Sequence, residues 1–153
     1  MPAIAPALDT ETATRLRAAI GRLSRQLRTT AAGRAAGLAP TGISVLLNAD
    51  RNSPLRLSEL ASSEGVNPTM LSRVVAGMVQ DGLLLRSSDE GDRRAAWVSV
   101  TPKGHKLAER MRRERTDAIN TALSGLTEDD CRRIERALPA LEALGQELKE
   151  RRP

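Results

Sequence analysis

At 153 residues, 40% hydrophobic but only 1% aromatic, the chain has room for one domain whose core must be built from Leu, Val, Ile, Ala and Met. It lacks the aromatic platforms used by readers of single strands and RNA loops. One His and one Cys exclude a two-histidine metal site, a thiolate cluster and an internal disulfide, and the net charge of +5 is spread as +4 over residues 1–54, −1 over 55–101 and +2 over 102–153.

Taken in order, Met1 to Leu8 contain two Pro and several Ala and read as a loose arm. A helix is expected from about Asp9 to Ala32, with Leu16, Ile20, Leu23 and Leu27 at steps of four, three and four. So narrow an apolar stripe suits pairing with another helix, although a long core helix packed within its own chain fits as well. Gly33 and Gly37 suggest a loop over 31–39. Pro40-Thr41 then starts a short helix through Leu47, and Asn48 to Pro54 reads as a cluster of turns before a brief strand at Leu55 to Leu57.

From Leu57 to Arg86 the pattern is helix, tight turn, helix, strand. Ser58 can cap the first helix, Gly65 supplies a turn where φ is free to be positive, Asn67 can cap the second helix, and Pro68 suits its first turn. Leu71, Val74, Val75 and Met78 share one face, leaving Thr69, Ser72 and Arg73 pointing away; helical phase lets Met70 face either side. Asp81-Gly82 ends the helix. Two helices crossing at such a turn make a helix-turn-helix, and an ordinary helical hairpin fits the same spacing. A polar turn from Ser87 to Asp92, then Arg93, Arg94 and the alternating Trp97 to Val100, reads as a β-hairpin. That hairpin is either a DNA-binding wing or a solvated surface turn with an Asp–Arg pair.

Thr101-Pro102 starts a helix carrying Leu107, Met111, Ile119, Leu123 and Leu126, broken at Gly125. Thr127 and three acids start another, striped with Ile134, Leu138, Leu141, Leu144 and Leu148 and bent at Pro139. One chain of this size cannot easily cover three such stripes. A homodimer is therefore expected, held by Leu16, Ile20, Leu23, Leu27, Ile119, Leu123, Ile134, Leu138, Leu141 and Leu144.

At this point the residues carry a family resemblance. From Leu55 to Gly104 the chain resembles a MarR-type winged-helix transcription regulator: Asp92-Arg93-Arg94 followed by Thr101-Pro102-Lys103-Gly104 matches that family's D-x-R and threonine-x-x-glycine signature. Departures are Gly77 inside the recognition helix, costing about 1 kcal/mol against Ala, and Val100 where Leu is usual. The resemblance implies a mainly α fold with a minor β part, a winged helix-turn-helix with flanking dimerisation helices. One MarR-like domain would fill 1–153, with an N-terminal dimerisation helix at 9–37, the DNA-binding lobe at 38–101 and C-terminal dimerisation helices at 102–153.

Its implied function is sequence-specific regulation of transcription by a homodimeric repressor on double-stranded DNA, relieved by a small-molecule effector, with no cofactor. Two recognition helices ~34 Å apart would read a palindromic operator. Ser58, Asn67, Pro68, Thr69, Met70, Ser72 and Arg73 would meet the DNA, with Arg94 reaching a minor groove beside Arg93 and Asp92 bracing it. No effector residues are assigned, Arg17 and Arg28 being conceivable anion partners.

Two other classes compete. An enzyme finds no support: Cys131 lies on a different expected helix from His105, Asp129-Asp130 sit where a helix start explains them, and no phosphate-binding glycine spacing occurs. A winged-helix module that binds protein rather than DNA would explain the acid-balanced reader. Cys131 reads as a buried structural thiol rather than an oxidant sensor. No apolar run approaches the ~20 residues of a membrane span and no signal peptide is recognisable, so a cytoplasmic location is expected.

Overall fold

The computed structural model describes residues 9–88, 91 and 95–151. Its elements run α1 (Thr10–Gln26), α2 (Ala31–Ala35), α3 (Pro40–Asn52), β1 (Leu55–Arg56), α4 (Leu57–Glu64), α5 (Pro68–Gln80), β2 (Leu84–Ser88), β3 (Ala96–Val100), α6 (Pro102–Leu123) and α7 (Glu128–Glu150). The chain divides into two compact units, Met1–Arg115 and Thr116–Pro153. The expected fold class, helical with a small sheet and a winged helix-turn-helix, is the observed one.

In the first unit, a three-stranded antiparallel sheet of order β1-β3-β2 sits beside α3, α4 and α5. Val98 of the central strand faces Leu55 on one side and Arg86 on the other. Ile43, Leu46, Leu60, Leu71, Val75, Met78, Leu84, Val98 and Met111 are fully buried and form one aliphatic core. Burying each contributes roughly 1.5–3 kcal/mol, which makes up for the missing aromatics by number.

The N-terminal region differs from expectation. Helix α1 begins where expected, with the Asp9 carboxylate accepting from Thr12 N–H at 2.6 Å, but it ends at Gln26 rather than Ala32. Where a loop was expected, α2 forms a short helix of its own. Thr30 Oγ1 accepts from Gly33 N–H at 3.0 Å, and the Glu114 carboxylate, from α6, accepts from Ala32 N–H at 3.0 and 3.1 Å. A cap from 82 residues away leaves no trace in the local pattern.

Helix α3 also outruns its expected end at Leu47, continuing through the polar run to Asn52. Asn and Asp favour turns because their side chains compete for backbone groups; here those side chains are engaged elsewhere. Asn48 Nδ2 donates to Glu64 Oε1 at 2.6 Å and to Ser63 Oγ at 2.8 Å. Asp50, only 3% exposed, takes His105 Nδ1 at 2.7 Å on one oxygen and the Arg112 guanidinium on the other. His105, expected merely to lie at the surface, is thus half-exposed yet tethered to α3. Burial pushes the Asp50 pKa up, but hydrogen bonds and charge from Arg112 and His105 outweigh it and leave the carboxyl below its ordinary value.

A backbone contact fixes the far end of α5. Gly82 ends α5 with φ of 71°, Leu83 N–H returns to Met78 O at 2.8 Å, and Leu83 O accepts from Thr101 N–H at 3.1 Å. The first turn of α6 then lies so close to Leu83 that a Cβ on Gly104 would overlap the Leu83 carbonyl and come within 2.9 Å of Val100 Cγ2. Thr101 Oγ1 caps that turn, accepting from Gly104 N–H at 3.0 Å. Gly77, by contrast, has open space where its Cβ would stand.

In the second unit, Thr127 Oγ1 caps α7 at Asp130 N–H, 3.2 Å away, and the Cys131 thiol lies 3.5 Å from Leu123 O. Pro139 sits inside α7 without ending it.

Two consequences are measurable. Gly104→Ala is expected to destabilise the fold by about 1–3 kcal/mol or more, since backbone rather than a movable side chain blocks the methyl, whereas Gly77→Ala stabilises by up to about 1 kcal/mol. Equal effects of the two in urea titrations would contradict this packing. Because the Asp50 pKa is lower folded than unfolded (about 3.9), its contribution is complete above that value and lost as pH falls through the folded value. Asp50→Asn should therefore be less stable than wild type at pH 7, and the gap should close below about pH 4. A gap constant down to pH 2 would refute the pairing.

Candidate nucleic-acid interface

Helix α5 offers its outer face through a well-defined start. Gly65 takes the left-handed conformation with φ of 64°, Val66 N–H closes back on Ala61 O at 3.2 Å, and Asn67 Oδ1 accepts from Thr69 N–H at 2.8 Å. Pro68 gives up no hydrogen bond at the first position. Leu71, Val75 and Met78 anchor the opposite face in the core, which leaves Asn67, Pro68, Thr69 and Arg73 exposed and Ser72 half-buried. Met70, whose phase was ambiguous, is 48% exposed and belongs to the outer face.

Ser58 lies exposed in the first turn of α4 but does not cap it. The helix starts two residues earlier than such a cap requires, and Glu59 Oε2 accepts from Arg56 N–H at 2.9 Å instead. Ser58, Pro68, Arg56 and Arg86 line one hollow of about 680 Å3 beside the start of α5. The Arg56 guanidinium stacks over Trp97, 5.4 Å from the ring centroid, which holds that cation at the rim.

Sequence reasoning missed Arg86. From β2 its Nη1 donates to Ser72 Oγ at 3.3 Å, so this hydroxyl and a cation form one polar group on the flank of α5. The available signal was a lone arginine three residues beyond the helix-ending Asp81-Gly82-Leu83, in the strand leading away from the reader. Asp92, Arg93 and Arg94 lie outside the described residues.

The residues expected at a dimer interface fall on two units. In α1, Ile20 and Leu23 are exposed, Leu16 is half-buried and no residue is fully buried; Leu27, which caps its end, is half-buried. In the second unit Ile119, Ile134, Leu138 and Leu141 are exposed, Leu123 and Leu144 half-buried, and α7 likewise buries nothing fully. Among the described residues, no His, Cys, Asp and Glu side chains group as a metal site, and no helix is long and apolar enough to cross a membrane.

Residues 38–96 match the model of the MarR family. No curated protein matches the chain. Among solved structures, the transcriptional regulator Tm0710 from Thermotoga maritima is 24% identical with a TM-score of 0.71, over 94% of this chain and 100% of that one. RV1404 from Mycobacterium tuberculosis is 20% identical with a TM-score of 0.75, covering 92% and 97%. NadR, solved in complex with 4-hydroxyphenylacetate, is 19% identical with a TM-score of 0.61, again over 92% and 97%. Residues 38–96 therefore resemble the MarR family, in a chain that has the fold of solved MarR-type transcriptional regulators.

Proposed function

We propose that this chain is a sequence-specific double-stranded DNA-binding transcriptional regulator, acting as a homodimeric repressor that a small-molecule effector releases. One observation carries the DNA-binding part. The capped, solvent-facing start of α5 presents Thr69, Met70 and Arg73 together, with the Ser72–Arg86 pair on its flank. Arg73 has the reach and fork to pair with a guanine edge. Ser72 with Arg86 suits a phosphate, as does the positive end of the helix dipole. Arg94 is assigned to a minor groove, with Arg93 and Asp92 beside it, on the strength of the wing signature alone.

The unburied stripes of α1 and α7 support the dimer. Two-fold pairing would set the two reading helices on a palindrome. For effector release, support comes from a cleft of about 480 Å3 lined by Ser24, Leu27, Arg28, Thr41, Ser44 and Arg115, among others. Arg115 Nε is buried there without a hydrogen-bond partner among the described residues, and burial lowers its pKa. An organic anion would satisfy that group, and NadR, another protein of this fold, is solved in complex with 4-hydroxyphenylacetate.

A binding selection on random duplexes tests the reading and yields the operator. Arg73→Ala is expected to cost about 1–3 kcal/mol and relax base preference at one position per half-site, while Ser72→Ala lowers affinity evenly across sequences. Arg94→Ala should weaken specific binding strongly and Asp92→Ala less. If no salt-dependent shift of any duplex is seen, the chain is instead a protein-binding module. Repeating the titration with a panel of aromatic carboxylates tests release: one that frees wild type but not Arg28→Gln supports the cleft, and a panel without effect removes this ligand class.

Oligomeric state is tested separately. Light scattering at micromolar concentration should give the mass of two chains, and Leu138→Glu with Leu141→Glu should give one. A single-chain mass for wild type would end the dimer.

A further inference from the structure

A second cleft, far from the reading turn, is built differently. It lies between α2, the end of α5 and the first turns of α6, holds about 660 Å3, and has Ala36, Leu83 and Leu107 on its walls. Lys103, Lys106 and Arg110 line it from one face of α6, at positions three or four residues apart. Asp81 is the one acid among its lining residues, so the lining carries a net charge of +2.

Lys103 caps the end of α5, but Lys106 and Arg110 are not explained by their surroundings. Lys103 Nζ donates to the Asp81 carbonyl at 2.6 Å, and among the described residues no carboxylate forms an ion pair with Lys103, Lys106 or Arg110. Like charges at this spacing destabilise a helix, and here they stand near its positive end, with no acid in the first turn to offset them. They also stand away from the end of α5 proposed to read DNA. At 1.5 Å per residue, α5 separates its reading end from Asp81 by roughly 18 Å. The volume is that of a small-molecule site, and small Ala side chains on α2 leave the room.

We propose that this cleft binds a free amphipathic carboxylate, its anionic head held by Lys106 and Arg110 and its apolar body lying along Leu83, Leu107 and Ala36. The site shares no lining residue with the Arg28–Arg115 cleft.

Octanoate is the probe, followed by NMR of the full-length chain. It should shift the amides of Ala35, Ala36 and Leu107 saturably, while acetate, lacking the body, and octanol, lacking the charge, bind at least tenfold more weakly. Lys106→Gln with Arg110→Gln should weaken octanoate at least tenfold, and Ala36→Leu, which fills the cleft from an exposed position, should abolish it with the spectrum otherwise native. Octanol binding as tightly as octanoate would overturn the proposal. So would wild-type affinity in the double variant, or shifts confined to residues around Arg28. Vesicles containing phosphatidylglycerol distinguish a lipid surface from a free ligand: sedimentation of the chain with them, lost in the double variant, would also overturn it.

Discussion

The contact between the first turn of α6 and the Leu83 carbonyl is the constraint on which the placement of α5 depends. The far end of α5 is held by main chain together with two side chains, the Thr101 hydroxyl donating to Gly82 O and the Lys103 ammonium to Asp81 O, each at 2.6 Å. Gly82 turns the chain, Leu83 O receives Thr101 N–H, and Gly104 lets two backbones meet where any Cβ would collide. The threonine-x-x-glycine signature thus has a mechanical meaning. Thr101 caps α6 while bonding toward the end of α5, and the glycine makes the approach sterically feasible.

Around that junction, buried or half-buried carboxylates tie elements that the hydrophobic core alone would leave free to slide. Asp50 joins α3 to α6 through His105 and Arg112, Glu64 joins α4 to α3 through Asn48 and Ser44, and Glu114 joins α6 to the start of α2. Such groups are costly to bury unless each oxygen is satisfied. Once satisfied, they specify one arrangement, because an aliphatic core built from Leu, Val and Met tolerates several.

The same ties explain what was legible in the sequence. Helix α5 could be read almost to the residue because every signal for it is local: Asn67 and Pro68 at its start, apolar spacing from Leu71 to Met78, and Gly82 past its end. The brief strand before α4 and the hairpin strand from Trp97 were legible for the same reason. Helix α2 and the extension of α3 to Asn52 were not, since both depend on partners distant in the chain. Without Glu114, Ala31–Ala35 has only Thr30 to start it; without Arg112 and Glu64, a run of Asn and Asp reads as turns. Arg86 escaped notice for a related reason. Its meaning lies in a distance to Ser72 that no spacing along the chain encodes.

Charge distribution decides how such a reader would have to work. Residues 55–101 carry a net charge of −1, so no broad positive field draws this lobe onto a phosphate backbone. Individual arginines must do so from fixed positions: Arg56 is pinned by Trp97 and Arg86 by Ser72, while Arg73 stands exposed on the outer face of a helix whose other face is buried. A cation held in place loses less conformational freedom on contact than one on a mobile loop. Few charges also mean few displaced counterions and a shallow dependence on salt. Discrimination between sequences would then form a larger share of the binding free energy than in a protein that coats DNA with lysine.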